Sequence, residues 1–167
     1  DEVQASGAPL VIVIYGPTSL VDRSYCDMIY SGVEKAAQQH GLRTLQFSPE
    51  SEEEGLAYLE TIISEMEQAS DTVRRLLITP GVGYETYIRA NSHRLESNPR
   101  ADLLYMETST PLESKGSTLY INYYGAMYMG GCMVHYTTYN YTDEEVVSLV
   151  LANPHTESVR EAGERSR

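Results

Sequence analysis

The sequence predicts an α/β fold: a Rossmann-like, doubly wound, mostly parallel sheet. Short apolar runs alternate with longer amphipathic segments along most of the chain. The first run, Leu10–Tyr15, is apolar on both faces, which is typical of a strand buried inside a parallel sheet. The links between these elements are short, which favours right-handed βαβ crossovers.

The first strand stops at Gly16, and a polar loop that carries Asp22 follows it. An amphipathic segment then predicts a helix over roughly Ser24–His40, closed by Gly41. In open α/β sheets, small molecules bind at the carboxyl ends of the strands. This strand, loop and helix therefore predict a binding function and indicate where the ligand touches the chain.

The same alternation predicts the remaining elements. The second helix has Ser51 as a good N-cap, and glutamates in its first turn complement the helix dipole. The third helix stops before Asn98 and Pro99. The predicted helices run from Ser51 to about Ala69, over Tyr84–Leu95 and over Tyr124–Tyr136, and the further predicted strands are Leu42–Phe47, Val73–Thr79, Leu103–Met106, Leu119–Ile121 and Val146–Leu151.

This pattern divides the chain into four parts. Residues 1–9 form a polar N-terminal lead and residues 10–122 the first α/β lobe. Residues 123–145 form a crossover helix and hinge region, and residues 146–167 begin a second lobe. The last predicted strand is strongly apolar, yet only a charged tail follows it. We therefore expect another chain or a longer protein to complete the second lobe.

Composition excludes several classes of protein. Twelve basic and twenty-four acidic residues give a net charge of −12, which argues against binding to nucleic acid phosphates. Two cysteines exclude a disulfide-rich scaffold. No apolar run approaches the roughly 20 residues of a membrane-spanning helix. Fourteen tyrosines against one phenylalanine suit half-buried packing and wet clefts.

The motifs of metal centres and common nucleophiles are missing from the sequence. None of the four histidines pairs with another at i, i+4, and neither HExxH nor CxxC occurs, so we predict no metal and no cofactor. No GxSxG elbow occurs either. Cys26 lies at the start of the first helix, where a thiol pKa falls, but no histidine lies near it in sequence. A packing or ligand-lining role for Cys26 is therefore favoured over catalysis.

The stretch ITPGVGYETY ends the third strand, and its glycines let backbone amides approach a ligand. The GxGxxG fingerprint fails at Thr86, so this is not a dinucleotide-binding loop. The pattern predicts a turn whose tip, Tyr84, helps to line a cleft.

Three carboxylates are predicted to share the carboxyl edge of the sheet: Asp22, Asp27 and Glu107. Such groups accept hydrogen bonds from hydroxyls, and they can also act as acid and base. Binding is favoured because catalysis needs tuned pKa values as well as geometry. The alternative is a doubly wound hydrolase or transferase that uses Asp22, Asp27 or Cys26. A third option, the effector domain of a regulator, lacks a basic helix-turn-helix segment.

Several segments resemble one known family. YGPTSLVDRSYCDMIYSGVEKAAQQHGL resembles the first βα unit of the basic membrane protein (BMP) family, which comprises substrate-binding lipoproteins of the type 1 periplasmic-binding fold. LLITPGVGYETY is similar to the family's third strand and glycine-aromatic turn, and YYGAMYMGG to one of its helices. The resemblance covers roughly Leu10 to Glu164 and implies a two-lobed protein that clamps its ligand between the lobes.

The resemblance also implies a set of ligand-binding residues. By matching position, Asp22, Ser24 and Tyr25 face the ligand, Tyr84 lines it, and Glu107 stands where an acid often sits. The next position, Cys26, replaces the family's asparagine, and a thiol cannot give and accept hydrogen bonds as a side-chain amide does.

The expected function is therefore that of a non-enzymatic, extracytoplasmic solute-binding protein of the ABC-transporter type. Its partner would be a small polar solute, a nucleoside or a sugar, delivered to a membrane permease. The expected location is the periplasm or, through a lipid anchor, the cell envelope.

Overall fold

The computed structural model of the chain describes residues 7–17, 19–20, 25–108, 110–120, 128–130 and 132–133. The chain divides into two compact units, Asp1–Tyr120 and Ile121–Arg167. The described part of the first unit contains the sheet, and the residues described in the second unit are helical. Most of the predicted helix Tyr124–Tyr136 and all of the predicted strand Val146–Leu151 lie outside the described residues.

The sheet has five parallel strands in the order β2-β1-β3-β4-β5, with helices on both faces. This confirms the α/β class and the parallel, Rossmann-like sheet. The strands are β1 (Leu10–Ile14), β2 (Arg43–Phe47), β3 (Arg75–Thr79), β4 (Ala101–Met106) and β5 (Ser117–Leu119). The helices are α1 (Tyr25–His40), α2 (Glu52–Gln68) and α3 (Glu85–Asn91), with 3₁₀ turns at Val82–Tyr84 and Ser92–Ser97.

Strand β3 begins two residues later than predicted and β4 two residues earlier, and the third helix and the fifth strand also differ from the prediction. The predicted third helix, Tyr84–Leu95, is split: α3 ends at Asn91, and the chain continues as a 3₁₀ segment to Ser97. The fifth strand begins two residues earlier than predicted, because Ser117, Thr118 and Leu119 pair with the last three residues of β4. Polar residues in this strand concealed it in the sequence, since it lies at the edge of the sheet and is partly exposed.

The N-terminus of α2 is capped as predicted. The Ser51 hydroxyl accepts a hydrogen bond from the Glu54 amide at 3.2 Å, and the Glu54 carboxylate accepts one from the Glu50 amide at 2.7 Å. The first bond satisfies a helix amide that has no partner inside the helix, and the second ties the residue before the cap to the first turn of α2. Together the two bonds fix the point at which the chain leaves β2 and crosses back over the sheet.

The two faces of the sheet bury separate clusters of apolar residues. Helices α2 and α3 and the 3₁₀ segment cover one face, where Leu59, Ile63 and Leu77 are fully buried. Helix α1 covers the other face, where Val13 and Tyr15 of the β1 exit are buried beside Cys26. Because the sheet is covered on both sides, β1 and β3 are apolar on both faces, as the sequence indicated.

The phenol of Tyr84 connects three elements at the carboxyl end of the sheet. Its hydroxyl donates a hydrogen bond to the Tyr15 backbone oxygen, just past β1, at 3.0 Å. Its ring lies against the backbone of Gly55 in α2, where a Cβ atom would overlap the phenol. Tyr84 itself precedes α3. Gly55 thus allows α2 to approach the turn after β3 closely enough for the ring to fit between them.

We predict opposite effects for the same substitution at two helical glycines. Gly55→Ala should destabilise the fold by about 1–3 kcal/mol, because the new methyl group displaces the Tyr84 ring. Gly32→Ala, in α1, should stabilise it by roughly 0.5–1 kcal/mol, because nothing lies within 4 Å of its Cβ position and alanine favours the helix. Urea unfolding followed by circular dichroism measures both. Equal changes in the two variants would contradict the packing described for Tyr84.

Candidate functional site

The strand order places a topological switch point between β1 and β3. From β1 the chain leaves to α1 on one face of the sheet, and from β3 it leaves to α3 on the opposite face. At such a switch point the connections diverge and open a crevice at the carboxyl edge. Gly16 follows β1 and Gly81 follows β3, so backbone free of side chains borders the crevice on both sides.

Glu107 lies at this edge, directly after β4. Its backbone has φ of 72°, the one positive φ found at a non-glycine residue in the described ranges. The left-handed region costs such a residue about 1–2 kcal/mol. The Glu107 amide donates to the Leu119 carbonyl oxygen at 2.7 Å, which ties the strained residue to the end of β5. Strain of this kind accumulates at ligand sites, where surrounding contacts hold it in place.

The Glu107 carboxylate extends over the turn that follows β3. Its Oε2 atom lies 3.9 Å from the position of a Cβ on Gly81, and Gly81 also has a positive φ, of 87°. A side chain at position 81 would therefore be strained by the backbone conformation, and its Cβ would lie in van der Waals contact with the carboxylate. The two residues bring an acceptor group to the exits of β3 and β4, beside the crevice.

A salt bridge from α3 anchors the loop that follows Glu107. The Arg89 Nε donates to the Glu85 Oε1 at 2.8 Å, and Arg89 Nη2 donates to the Thr108 hydroxyl at 2.9 Å and the Thr110 carbonyl at 3.0 Å. The Thr108 hydroxyl in turn donates to Glu85 at 3.2 Å. Because both charges lie partly away from solvent, the network holds the loop more firmly than an exposed pair would.

Two buried hydroxyls lie beneath this edge, at Thr79 and Tyr105. These residues are register partners at the ends of β3 and β4, and both side chains are 0% exposed. Neither hydroxyl has a hydrogen-bond partner among the residues that the structure describes. Burial raises the pKa of Tyr105, and the nearby Glu85 raises it further. The sequence analysis placed both residues in strands, with Thr79 at the end of the third, but it singled out neither of them as a buried polar group.

The start of α1 holds three more of the residues singled out in the sequence. Tyr25 is half-buried against the cluster that contains Val13 and Ile78. Cys26 is 9% exposed within the same apolar cluster. Asp27 lies in the first turn, and its backbone oxygen accepts a hydrogen bond from the Ser31 hydroxyl at 2.9 Å. The predicted ligand residues Asp22 and Ser24 lie outside the described residues.

The structure places Tyr84 in the core and not at an open surface, contrary to the expectation that it lines a cleft. Its side chain is 1% exposed, and burial raises its pKa to about 12. The sequence indicated an exposed turn because glycines flank this residue. A ring packed between α2 and the exit of β1 cannot stack on a ligand without leaving that position.

The described residues define neither a metal centre nor a membrane-spanning segment. Within the ranges that the structure covers, His, Cys, Asp and Glu side chains form no group of three that could hold a metal ion. Among the described helices, none combines the length and the apolar character that crossing a membrane requires.

Comparison with known proteins gives no match: no protein family, no curated protein and no solved structure is detectably similar to this chain. The class that the fold defines is therefore an α/β protein with a parallel, Rossmann-like sheet, and the site is defined by its own geometry.

Backbone strain at Glu107 can be tested by substitution. Glu107→Gly should stabilise the protein by about 1 kcal/mol, because glycine adopts a positive φ without steric cost. Glu107→Ala should give no such gain, since alanine meets the same strain and also lacks the carboxylate. The difference in unfolding free energy between the two variants measures the cost of the positive φ at this position. A glycine variant no more stable than the alanine variant would contradict the strained geometry.

Proposed function

We propose that this chain is the N-terminal lobe of an extracytoplasmic solute-binding protein, which clamps a small polar solute at the carboxyl edge of its sheet. The observation that carries the proposal is the strained Glu107, whose carboxylate lies over Gly81 beside the switch point. Parallel sheets of this kind bind ligands at that edge. The resemblance of the sequence to BMP-family proteins supports the same class.

The chemistry of the edge suits a solute rich in hydroxyl groups. An ionised carboxylate is an acceptor only, with two oxygens that can receive hydrogen bonds from neighbouring hydroxyls. A ribose or a hexose offers such pairs of hydroxyls, so a nucleoside or a sugar fits Glu107 better than an anionic solute would. The net charge of −12 also disfavours anions at an open site.

The beginning of α1 would supply the second wall of the site. Tyr25 is half-buried there and packs against the cluster that contains Tyr15 at the β1 exit. We propose that Tyr25 provides the flat surface for the solute, together with Asp22 and Ser24 of the preceding loop. Tyr84 would support the site from below, since its ring is already packed in the core.

Binding is proposed in preference to the hydrolase or transferase alternative. That alternative would use Asp22, Asp27 or Cys26. The thiol of Cys26 lies in an apolar cluster, whereas reactive cysteines are found in partly exposed, electropositive surroundings. Delivery of the solute to a membrane permease at the cell envelope is part of the same proposal.

The proposal predicts that a nucleoside or a sugar stabilises the protein. At a hundred times the dissociation constant, a bound solute adds about 2.7 kcal/mol to the unfolding free energy. Thermal-shift screening against a panel of nucleosides, pentoses and hexoses should therefore reveal at least one stabilising solute. Glu107→Gln should weaken that solute about tenfold or more, because a buried or partly buried charged hydrogen bond is lost.

The matched control is Glu96→Gln, an exposed acid in the 3₁₀ segment that precedes β4, at the opposite edge of the sheet. This change should leave solute affinity as it is. A panel in which every solute fails to stabilise the protein would count against the proposal. So would a solute that binds Glu107→Gln as tightly as it binds the parent chain.

A further inference from the structure

Strand β2 forms one edge of the sheet, and no described strand pairs with its outer backbone groups. The Arg43 amide donates to the Pro9 carbonyl at 2.9 Å, and the Phe47 carbonyl accepts from the Tyr15 amide at 3.0 Å. These residues therefore direct their backbone groups towards β1. Successive residues of a strand direct their backbone groups to opposite sides. The backbone groups of Thr44 and Gln46 therefore point away from β1. Among the described residues, β2 pairs with β1 alone.

Apolar side chains are accessible at this edge, next to the exposed Arg43. Leu45 is 48% exposed, and it borders a groove of about 350 Å³ between β2 and α2 that Phe47 and Tyr58 also line. Edge strands commonly carry lysine, proline or a bulge that prevents pairing with another chain. The segment RTLQF has no proline or lysine, and its register with β1 is unbroken.

We propose that β2 pairs with β2 of a second copy of this chain, antiparallel, about a twofold axis at Leu45. In that register Thr44 lies opposite the partner's Gln46, and each pair exchanges two backbone hydrogen bonds. The alternation along β2 allows this register, since Thr44 and Gln46 are the residues whose backbone groups point away from β1. Leu45 then faces the partner's Leu45 and is removed from water. This dimer is independent of the proposed solute site at the carboxyl edge.

Charge complementarity favours the antiparallel arrangement. It brings the exposed Arg43 of one copy to the end of the partner's strand, where the partner's Glu50 and the partner's Glu54 lie. The guanidinium would also lie over the partner's Phe47, in a cation–π contact. Parallel pairing in register would instead set two Arg43 side chains side by side, and like charges in that position are destabilising.

The first test is the mass of the full chain in solution, measured by light scattering over a wide range of concentration. In about 0.15 M salt the Debye length is about 8 Å, which limits repulsion between two chains of charge −12. The mass should rise with concentration from 18.7 kDa towards twice that value. Leu45→Lys should raise the dissociation constant at least about tenfold, through unfavourable burial of two charges at the axis.

Leu119→Lys is the matched control, because Leu119 is 42% exposed on β5, the strand at the other edge of the described sheet. It should leave the dissociation constant unchanged. A chain that stays at 18.7 kDa at every concentration would overturn the proposal. So would a dimer that Leu45→Lys and Leu119→Lys weaken to the same extent.

A cross-link tests the register directly. In the proposed pairing the Leu45 positions form a non-hydrogen-bonded pair, whose Cβ atoms approach to roughly 4.5 Å and can be bridged by a disulfide. In a Cys132→Ser background, Leu45→Cys should give a covalent dimer under mild oxidation. Leu119→Cys in the same background should remain monomeric on a non-reducing gel. Equal yields from the two variants, or none from Leu45→Cys, would overturn the twofold register.

Discussion

The buried phenol of Tyr84 holds together the elements at the carboxyl end of this sheet. Its hydroxyl holds the carbonyl that follows β1, its ring fills the space opened by Gly55 in α2, and its own backbone leads into α3. Tyr84 thereby joins three elements that are distant in sequence. They meet at the edge where the chain leaves β1 for one face of the sheet and β3 for the other. A hydroxyl buried at this depth needs its partner, since an unmade hydrogen bond there costs about 1–3 kcal/mol. The exit of β1 is therefore held against α2 and the turn that follows β3.

The turn after β4 is also held in place, although the backbone of Glu107 is strained there. Glu107 adopts a left-handed backbone that its side chain disfavours, and β5 and the Arg89 network hold it there. These contacts hold the Glu107 carboxylate, a hydrogen-bond acceptor, close to Gly81. A carboxylate positioned in this way can accept hydrogen bonds from hydroxyl donors, which is the basis of the binding function that we propose.

Much of the fold followed from local sequence patterns. The uninterrupted apolar run at Leu10 predicted a strand covered on both faces, and Ser51 predicted the start of α2, because both signals depend on near neighbours in the chain. Glu107 was correctly placed at the end of β4 for the same reason. The burial of Tyr84 could not be predicted, because it depends on space left by Gly55 in another helix. Thr79 and Tyr105 were not singled out as buried polar groups because their burial follows from strand register, which a single sequence does not display.

We propose that a solute binds at the carboxyl edge, between β1 and β3 and out to Glu107. This proposal is tested most directly by following backbone amide resonances while a stabilising nucleoside or sugar is added. The account predicts that shifts concentrate at Gly16, Gly81 and Glu107 and at the first turn of α1, while the amides of Arg75 and Ala101 at the opposite edge stay unchanged. Shifts confined to the opposite edge, or spread evenly over the sheet, would contradict it.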